Sequence, residues 1–285
     1  MMSNKQPEIY FHVGLPKTAS TFLQRNVFPR LEGIEYVKKH SFHKYNRYVE
    51  NTSHSKILFS TELNIGKKRT NEKIRKFAQS YPDARPIILL RRHDRWIRSK
   101  YKQHIRKHGW LSFDEFFNIQ DTGKVKVYEL YYKDKVDFLN GLFNHPAVVL
   151  FQEELLDDPW KAIDRICRIT GTTYAKESID TNRVKPSYST KQLKAMRRFN
   201  QHIQFEDPPE DQPKIIRKSH KKFHAFLLHS VAYLSYLWPG KWIKPHGHLI
   251  PPERPDQIRQ HFRGDWQRSI EYAQNQRQEP VDINL

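Results

Sequence analysis

The chain has 285 residues and carries 50 Lys and Arg against 31 Asp and Glu, a formal net charge of +19. Its length suits one large α/β domain or two small ones, and the excess charge calls for anionic partners. With 13% aromatic residues, 10 glycines, no low-complexity tract and no sustained heptads, disorder, collagen and coiled coil are set aside.

Glu8 to Val13 reads as a short buried strand ending in Gly14-Leu15-Pro16. Thr18 to Arg30 reads as a helix, with Phe22, Leu23 and Val27 at helical spacing. Gly33 to Val37 and Lys56 to Thr61 are apolar runs of strand length, and Arg69 to Gln79 suits a helix with a polar face. Pro86 to Leu90 is apolar on both faces, the pattern of a strand covered on both sides. Asp94 to Lys107 follows as a basic helix, and Ser112 to Glu115 as a capping box. Val127 to Phe143 reads as one amphipathic helix and Ala147 to Phe151 as a fifth strand. Asp158 and Pro159 then open a helix that Gly171 stops. The alternation predicts an α/β fold, a P-loop-like central parallel sheet flanked by helices over 8–171. A mainly helical part over 172–273, with a proline-rich loop at Glu206 to Pro213, and a loose tail over 274–285 complete a single domain.

Two segments carry chemistry. In the first, His12 to Gln24, a strand ends in a Gly/Pro turn and a helix opens with Lys17, Thr18, Ser20 and Thr21. Such a turn aims backbone N–H groups at one point, and Lys17 adds a full charge, so the segment is built as a phosphate cradle. It is not a Walker A loop, since Gly-Lys-Ser/Thr is absent. In the second, Pro86 to Tyr101, Arg91 sits at the carboxyl end of a strand and Ser99 lies on the following helix. In a parallel sheet that end faces the ligand crevice, where an arginine can hold a phosphate in a two-pronged contact. Taken alone, the second segment reads equally well as a basic solvated helix, because eight of the seventeen residues from Arg91 to Lys107 are Lys or Arg.

Together the two segments resemble the paired signature of sulfotransferases that use 3′-phosphoadenosine 5′-phosphosulfate (PAPS). Lys17-Thr18-Ala19-Ser20-Thr21-Phe22 stands for the family's Lys-Ser-Gly-Thr-Thr-Trp loop around the 5′-phosphosulfate. Arg91 and Ser99 match its element for the 3′-phosphate, and Val149 to Pro159 resembles its later strand-to-helix stretch. The resemblance covers about residues 8–171 and is nearest to bacterial carbohydrate-modifying members. Arg183 to Ser189 occupies the place of a later nucleotide-contacting loop. Two positions depart from the pattern. Ala19 replaces a glycine, and Gln152 stands where some relatives have an aromatic, so adenine stacking is not carried over to it.

The resemblance implies transfer of the sulfuryl group from PAPS to an acceptor hydroxyl, giving a sulfate ester and PAP without a metal. It places Lys17 at the leaving-group oxygen. Glu62, in Phe59-Ser-Thr-Glu-Leu63, stands where relatives carry a catalytic base, with His40 and His43 as rival bases. The expected acceptor is a sugar hydroxyl on an anionic glycan or glycolipid, with a small phenol or alcohol second. A nucleotide phosphotransferase would need a Gly-Lys-Ser/Thr loop and an aspartate for Mg²⁺. A non-catalytic polyanion or nucleic-acid binder is allowed by charge but has no accompanying signature, so no nucleic acid is expected.

The single cysteine, Cys167, excludes an intrachain disulfide and reads as a buried structural thiol. His246-Gly-His248 lacks a third ligand at metal spacing, so a loop is its better reading. No secretion signal is visible and no run of about 18 apolar residues occurs, so a cytoplasmic protein is expected. Phe223 to Ile243 is the most apolar stretch. It reads as a core helix, or else as an interfacial segment or acceptor-site lid touching the inner face of a membrane, with Trp238 and Trp242 at its boundary.

Overall fold

β1 (Glu8–Gly14), β2 (Glu35–Val37), β3 (Lys56–Glu62), β4 (Arg85–Leu90) and β5 (Val148–Phe151) pair as one parallel sheet in the order β2-β3-β1-β4-β5. The structure, a computed structural model, describes residues 6–181, 188–203, 209, 211–237 and 248–276. Side chains alternate between the two faces of each strand, and both faces are apolar because both are covered. Phe11 and Val13, Ile57 and Phe59, and Ile88 and Leu90 join one core with Phe77 of α3 (Lys68–Ser80) and Leu139 of α6 (Tyr132–Asn140). Tyr10, Leu58, Leu89 and Leu150 join the other, with Leu23, Val27 and Ile163 of α8 (Pro159–Thr170). This double cover explains the continuous hydrophobic runs of the sequence.

Three expected elements differ. The helix after β1 begins at Ser20 instead of Thr18, because Ala19 is left-handed at φ 66° and cannot belong to it. It runs as α1 (Ser20–Phe22), a π turn over Leu23–Val27 and a 3₁₀ turn over Phe28–Arg30, where Pro29 has no N–H to continue an α-helical ladder. The single helix expected over Val127 to Phe143 is broken at Tyr131, which is extended, between a 3₁₀ turn (Val127–Leu130) and α6. The carboxylate of Asp265 accepts from the N–H groups of Tyr132 (2.8 Å) and Lys133 (3.2 Å), so a residue far along the chain starts the helix. The second strand is shorter than expected, Glu35–Val37. The capping box formed by Ser112 and Glu115 is present, as are the Asp158 cap and the left-handed Gly171 at the two ends of α8.

Contacts divide the chain into two units. The sheet unit holds Met1–Arg92, Tyr131–Val184 and Phe262–Leu285, and the other His93–Leu130 with Lys185–His261. The second unit contains α4 (His93–Arg106), α5 (Phe113–Phe116), α9 (Thr190–Ile203), α10 (Lys214–Leu234) and α11 (Arg254–His261). In its interior Tyr101 packs edge-on against Phe113, and the Asn200 amide donates to the carbonyls of Ile105 (2.9 Å) and Gly109 (3.0 Å). Arg254 clasps Asp114 with two hydrogen bonds, at 2.7 and 3.1 Å. Of the apolar stretch expected as a core helix, residues 223–234 lie in α10, where only the face of His224, Leu228 and Ala232 is buried, with Ser235 buried just past its end. Trp238 and Trp242 lie outside the described residues, as do Arg183 to Ser187, residues 246–247 of the His-Gly-His motif and residues 206–208 and 210 of the proline-rich loop.

Candidate functional site

β1 lies between β3 and β4, and the chain leaves it first for one side of the sheet and then for the other. The carboxyl end of β1 is therefore a topological switch point, where parallel sheets open a ligand crevice. In the register Gly14 stands opposite Glu62 of β3 on one side and Leu89 of β4 on the other. The Leu63 N–H donates to the Gly14 carbonyl at 3.1 Å, which extends the β3 pairing into the turn.

The loop after Gly14 folds on its own hydroxyls. Thr18 Oγ1 donates to the Leu15 carbonyl at 2.7 Å and lies 3.3 Å from Ser20 Oγ, which itself reaches the same carbonyl at 3.3 Å. Both side chains are buried, so these two predicted ligands also shape the loop, while Thr21 is exposed and Phe22 and Lys17 are half-buried. Lys17 and Ala19 have positive φ, 72° and 66°. Two left-handed residues around Thr18 bend the backbone into a nest-like turn suited to an anion. Gly14 has no room for a side chain: a Cβ there would sit 2.6 Å from Ser20 Oγ and 3.1 Å from His12 Cε1.

Arg91, just past β4, donates from Nη1 to the Lys17 carbonyl at 3.1 Å, so two predicted residues meet. Its own carbonyl accepts from Tyr132 Oη at 2.6 Å, and the next N–H, of Arg92, donates to Glu153 at 3.2 Å. Those bonds tie the end of β4 to α6 and to α7 (Gln152–Asp157). Ser99 is half-buried on α4, in the second unit. Gln152 is buried, and its Oε1 has no hydrogen-bond partner among the described residues.

On the β3 side, Glu62 Oε2 accepts from Lys39 Nζ at 2.6 Å. The pair borders a cavity of about 530 Å³ lined by Lys39, His40, His43, Glu62, Lys73 and Lys76, with Phe42 and Tyr45 behind them. The lysines of this cavity were not singled out by the sequence. Their best signal was the i, i+3 spacing of Lys73 and Lys76 on one face of α3.

Beneath the loop is a second polar group that sequence reasoning missed. His12 Nδ1 lies 2.7 Å from Ser60 Oγ, which accepts from Gln24 Nε2 at 3.0 Å, and Tyr36 Oη donates to the Gln24 carbonyl at 3.2 Å. Burial pushes the His12 imidazole down to about 3 and the Tyr36 phenol up to about 12, so both stay uncharged near neutrality. Burial likewise raises the Cys167 thiol, as befits a structural residue. No cluster of three His, Cys, Asp or Glu that could hold a metal occurs among the described residues. A larger cavity, about 610 Å³, runs along α8 past Arg85, His145 and Arg165, and none of the predicted site residues lines it.

No protein-family model matches the chain, and no curated protein sequence does. Among solved structures it is similar to a sulfotransferase from Alicyclobacillus acidocaldarius, at 18% identity and a TM-score of 0.48, over 69% of this chain and 93% of that one. It is also similar to the mouse sulfotransferase SULT7A1 in complex with PAP, at 14% identity and a TM-score of 0.44, over 91% of this chain and 85% of the mouse chain.

Proposed function

We propose that this protein transfers the sulfuryl group of PAPS to a hydroxyl on an anionic sugar of a glycan or glycolipid, releasing PAP. The observation that carries the reading is the convergence at the end of β1. Glu62 stands opposite Gly14 in the register, and Arg91 reaches the Lys17 carbonyl from the other side. The residues present fit a nucleotide with phosphates at two places, since a left-handed loop with a lysine and a strand-end arginine supply two cationic elements. Motif order supports the same assignment, with Lys17 to Phe22 and Arg91 each following a strand.

PAPS supplies a sulfuryl group already activated by its bond to a phosphate. The chain would do the rest. The loop and Arg91 hold the two phosphate ends, and the Lys17 ammonium neutralises negative charge that grows on the 5′-phosphate oxygen as its bond to sulfur breaks. Glu62 takes the acceptor's hydroxyl proton at Oε1, which no described residue hydrogen-bonds, while Lys39 holds Oε2 and fixes the carboxylate plane. The acceptor enters the cavity beside Glu62, where Lys39, Lys73 and Lys76 suit a sugar bearing carboxylate or sulfate groups.

The test is a labelled-sulfate transfer screen over acidic glycans, glycolipids and phenols, run on wild type, Lys17→Ala and Glu62→Gln. Wild type transfers label, and Glu62→Gln keeps PAP affinity while losing transfer by about a hundredfold or more. A Glu62→Gln enzyme as active as wild type puts the base elsewhere. In Lys73→Gln/Lys76→Gln the KM for an acidic acceptor rises while that for a neutral phenol does not; equal changes for both contradict the acceptor class.

A further inference from the structure

α10 is apolar on two opposite faces. His224, Leu228, Ala232 and Ser235 form one stripe, buried within the second unit, where α10 packs on α9. At about 100° per residue the opposite stripe runs through Ile216, Phe223, Phe226 and Tyr233, and Leu237 follows in the turn after the helix. Those side chains are exposed, Phe223 at 60%, Phe226 at 66%, Tyr233 at 66% and Leu237 at 79%. A helix apolar on all sides is normally enclosed, so this face calls for a second cover. At about 100 Å² left open per side chain, with Leu234 included, the patch is on the order of 600 Å², the upper end of what monomers expose.

Charge says what the cover is. Between Asp211 and Glu253 the sequence contains no Asp or Glu, while the first turns of α10 alone carry Lys214, Arg217, Lys218, Lys221 and Lys222. An exposed apolar stripe beside an acid-free basic flank matches a surface that is apolar within and anionic at its border. A second copy of the same helix would bring two acid-free basic flanks together, which like-charge repulsion opposes. Among the described residues no helix is long and apolar enough to cross a membrane. We infer that α10 is an interfacial helix that lays the protein on an anionic lipid bilayer, with Phe223, Phe226, Tyr233 and Leu237 toward the acyl chains. The inference stands independently of the proposed sulfuryl transfer.

The experiment is co-sedimentation of the full chain with vesicles of phosphatidylcholine alone, or with about 30% phosphatidylglycerol. The protein should pellet with the anionic vesicles, weakly with the neutral ones, and less as NaCl rises from about 0.1 to about 0.5 M. Phe223→Ser/Phe226→Ser should lower the partition coefficient about tenfold or more, while the exposed control Tyr128→Ser changes nothing. Phe226→Trp, a substitution that keeps the apolar character, provides an independent reading, because lipids brominated in the acyl chains should quench its added emission. A protein that stays in the supernatant, or a double serine variant that pellets like wild type, overturns the inference. So does added emission from the Phe226→Trp variant that brominated lipid leaves untouched. A wild-type dimer in light scattering that the serine variant abolishes, with no vesicle binding, assigns the face to a second copy instead.

Discussion

The tightest point of the proposed cradle is Gly14, and Gly14→Ala tests whether loop shape governs nucleotide binding. The added Cβ would lie 2.6 Å from Ser20 Oγ, 3.0 Å from Ser20 Cβ and 3.1 Å from His12 Cε1. Comfortable carbon contacts begin near about 3.5 Å, so about half an ångström or more must be found somewhere. His12 cannot yield easily, being fully buried with Nδ1 held 2.7 Å from Ser60. Ser20 is buried too, with its hydroxyl held at Leu15 and Thr18. Overpacking of this kind costs about 1–3 kcal/mol, or about 2–12 °C in Tm for a chain of this size. Because Ser20 carries the end of the Lys17–Ala19 turn, PAP affinity measured by calorimetry should fall about tenfold or more. Ser20→Gly removes both clashing Ser20 atoms and leaves only the His12 contact at 3.1 Å, so Gly14→Ala should cost less in the Ser20→Gly background than in wild type, a coupling of about 1 kcal/mol or more. Losses that simply add, or a Gly14→Ala protein with wild-type Tm and PAP affinity, would refute the steric reasoning.

Other outcomes follow from single contacts. Asp265→Ala deprives Tyr132 and Lys133 N–H of their acceptor and should cost about 2 kcal/mol, a fall of about 4–8 °C read by calorimetry. Arg91→Ala removes a cation and the brace on the Lys17 carbonyl, so PAP affinity should fall about ten- to a hundredfold. His12, held near about 3 in the folded protein against 6.5 unfolded, binds its proton only when the chain opens. Its contribution is therefore complete above pH 6.5 and shrinks as pH falls toward 3, by about 2 kcal/mol between pH 6.5 and 5. Urea unfolding of wild type and His12→Gln across that range should show a shallower acid limb in the variant; parallel limbs contradict the assignment.

The sheet was legible because each inner strand is apolar on both faces, and Pro86 to Leu90 could hardly be read otherwise. The loop's place was legible too, since Lys17 and its hydroxyls follow β1 directly. Its shape was not. Nothing local says that Thr18 and Ser20 turn inward to Leu15, or that Lys17 takes a positive φ as well as Ala19. The start of α6 depends on Asp265, a partner 133 residues away, so periodicity alone ran the helix through Tyr131. The basic cavity beside Glu62 draws lysines from two separate segments, and only the folded chain brings Lys39 to Lys73 and Lys76. The apolar run from Phe223 reads as a core helix on one face only, since one face of α10 is buried and the other lies open.

Calorimetric titration of PAP, alongside ATP with Mg²⁺, tests the central claim most directly. PAP should bind without any added metal, in competition with PAPS, and binding should weaken sharply in both Lys17→Ala and Arg91→Ala. Heat from ATP·Mg²⁺ but none from PAP, or PAP affinity unchanged in those two variants, would contradict it.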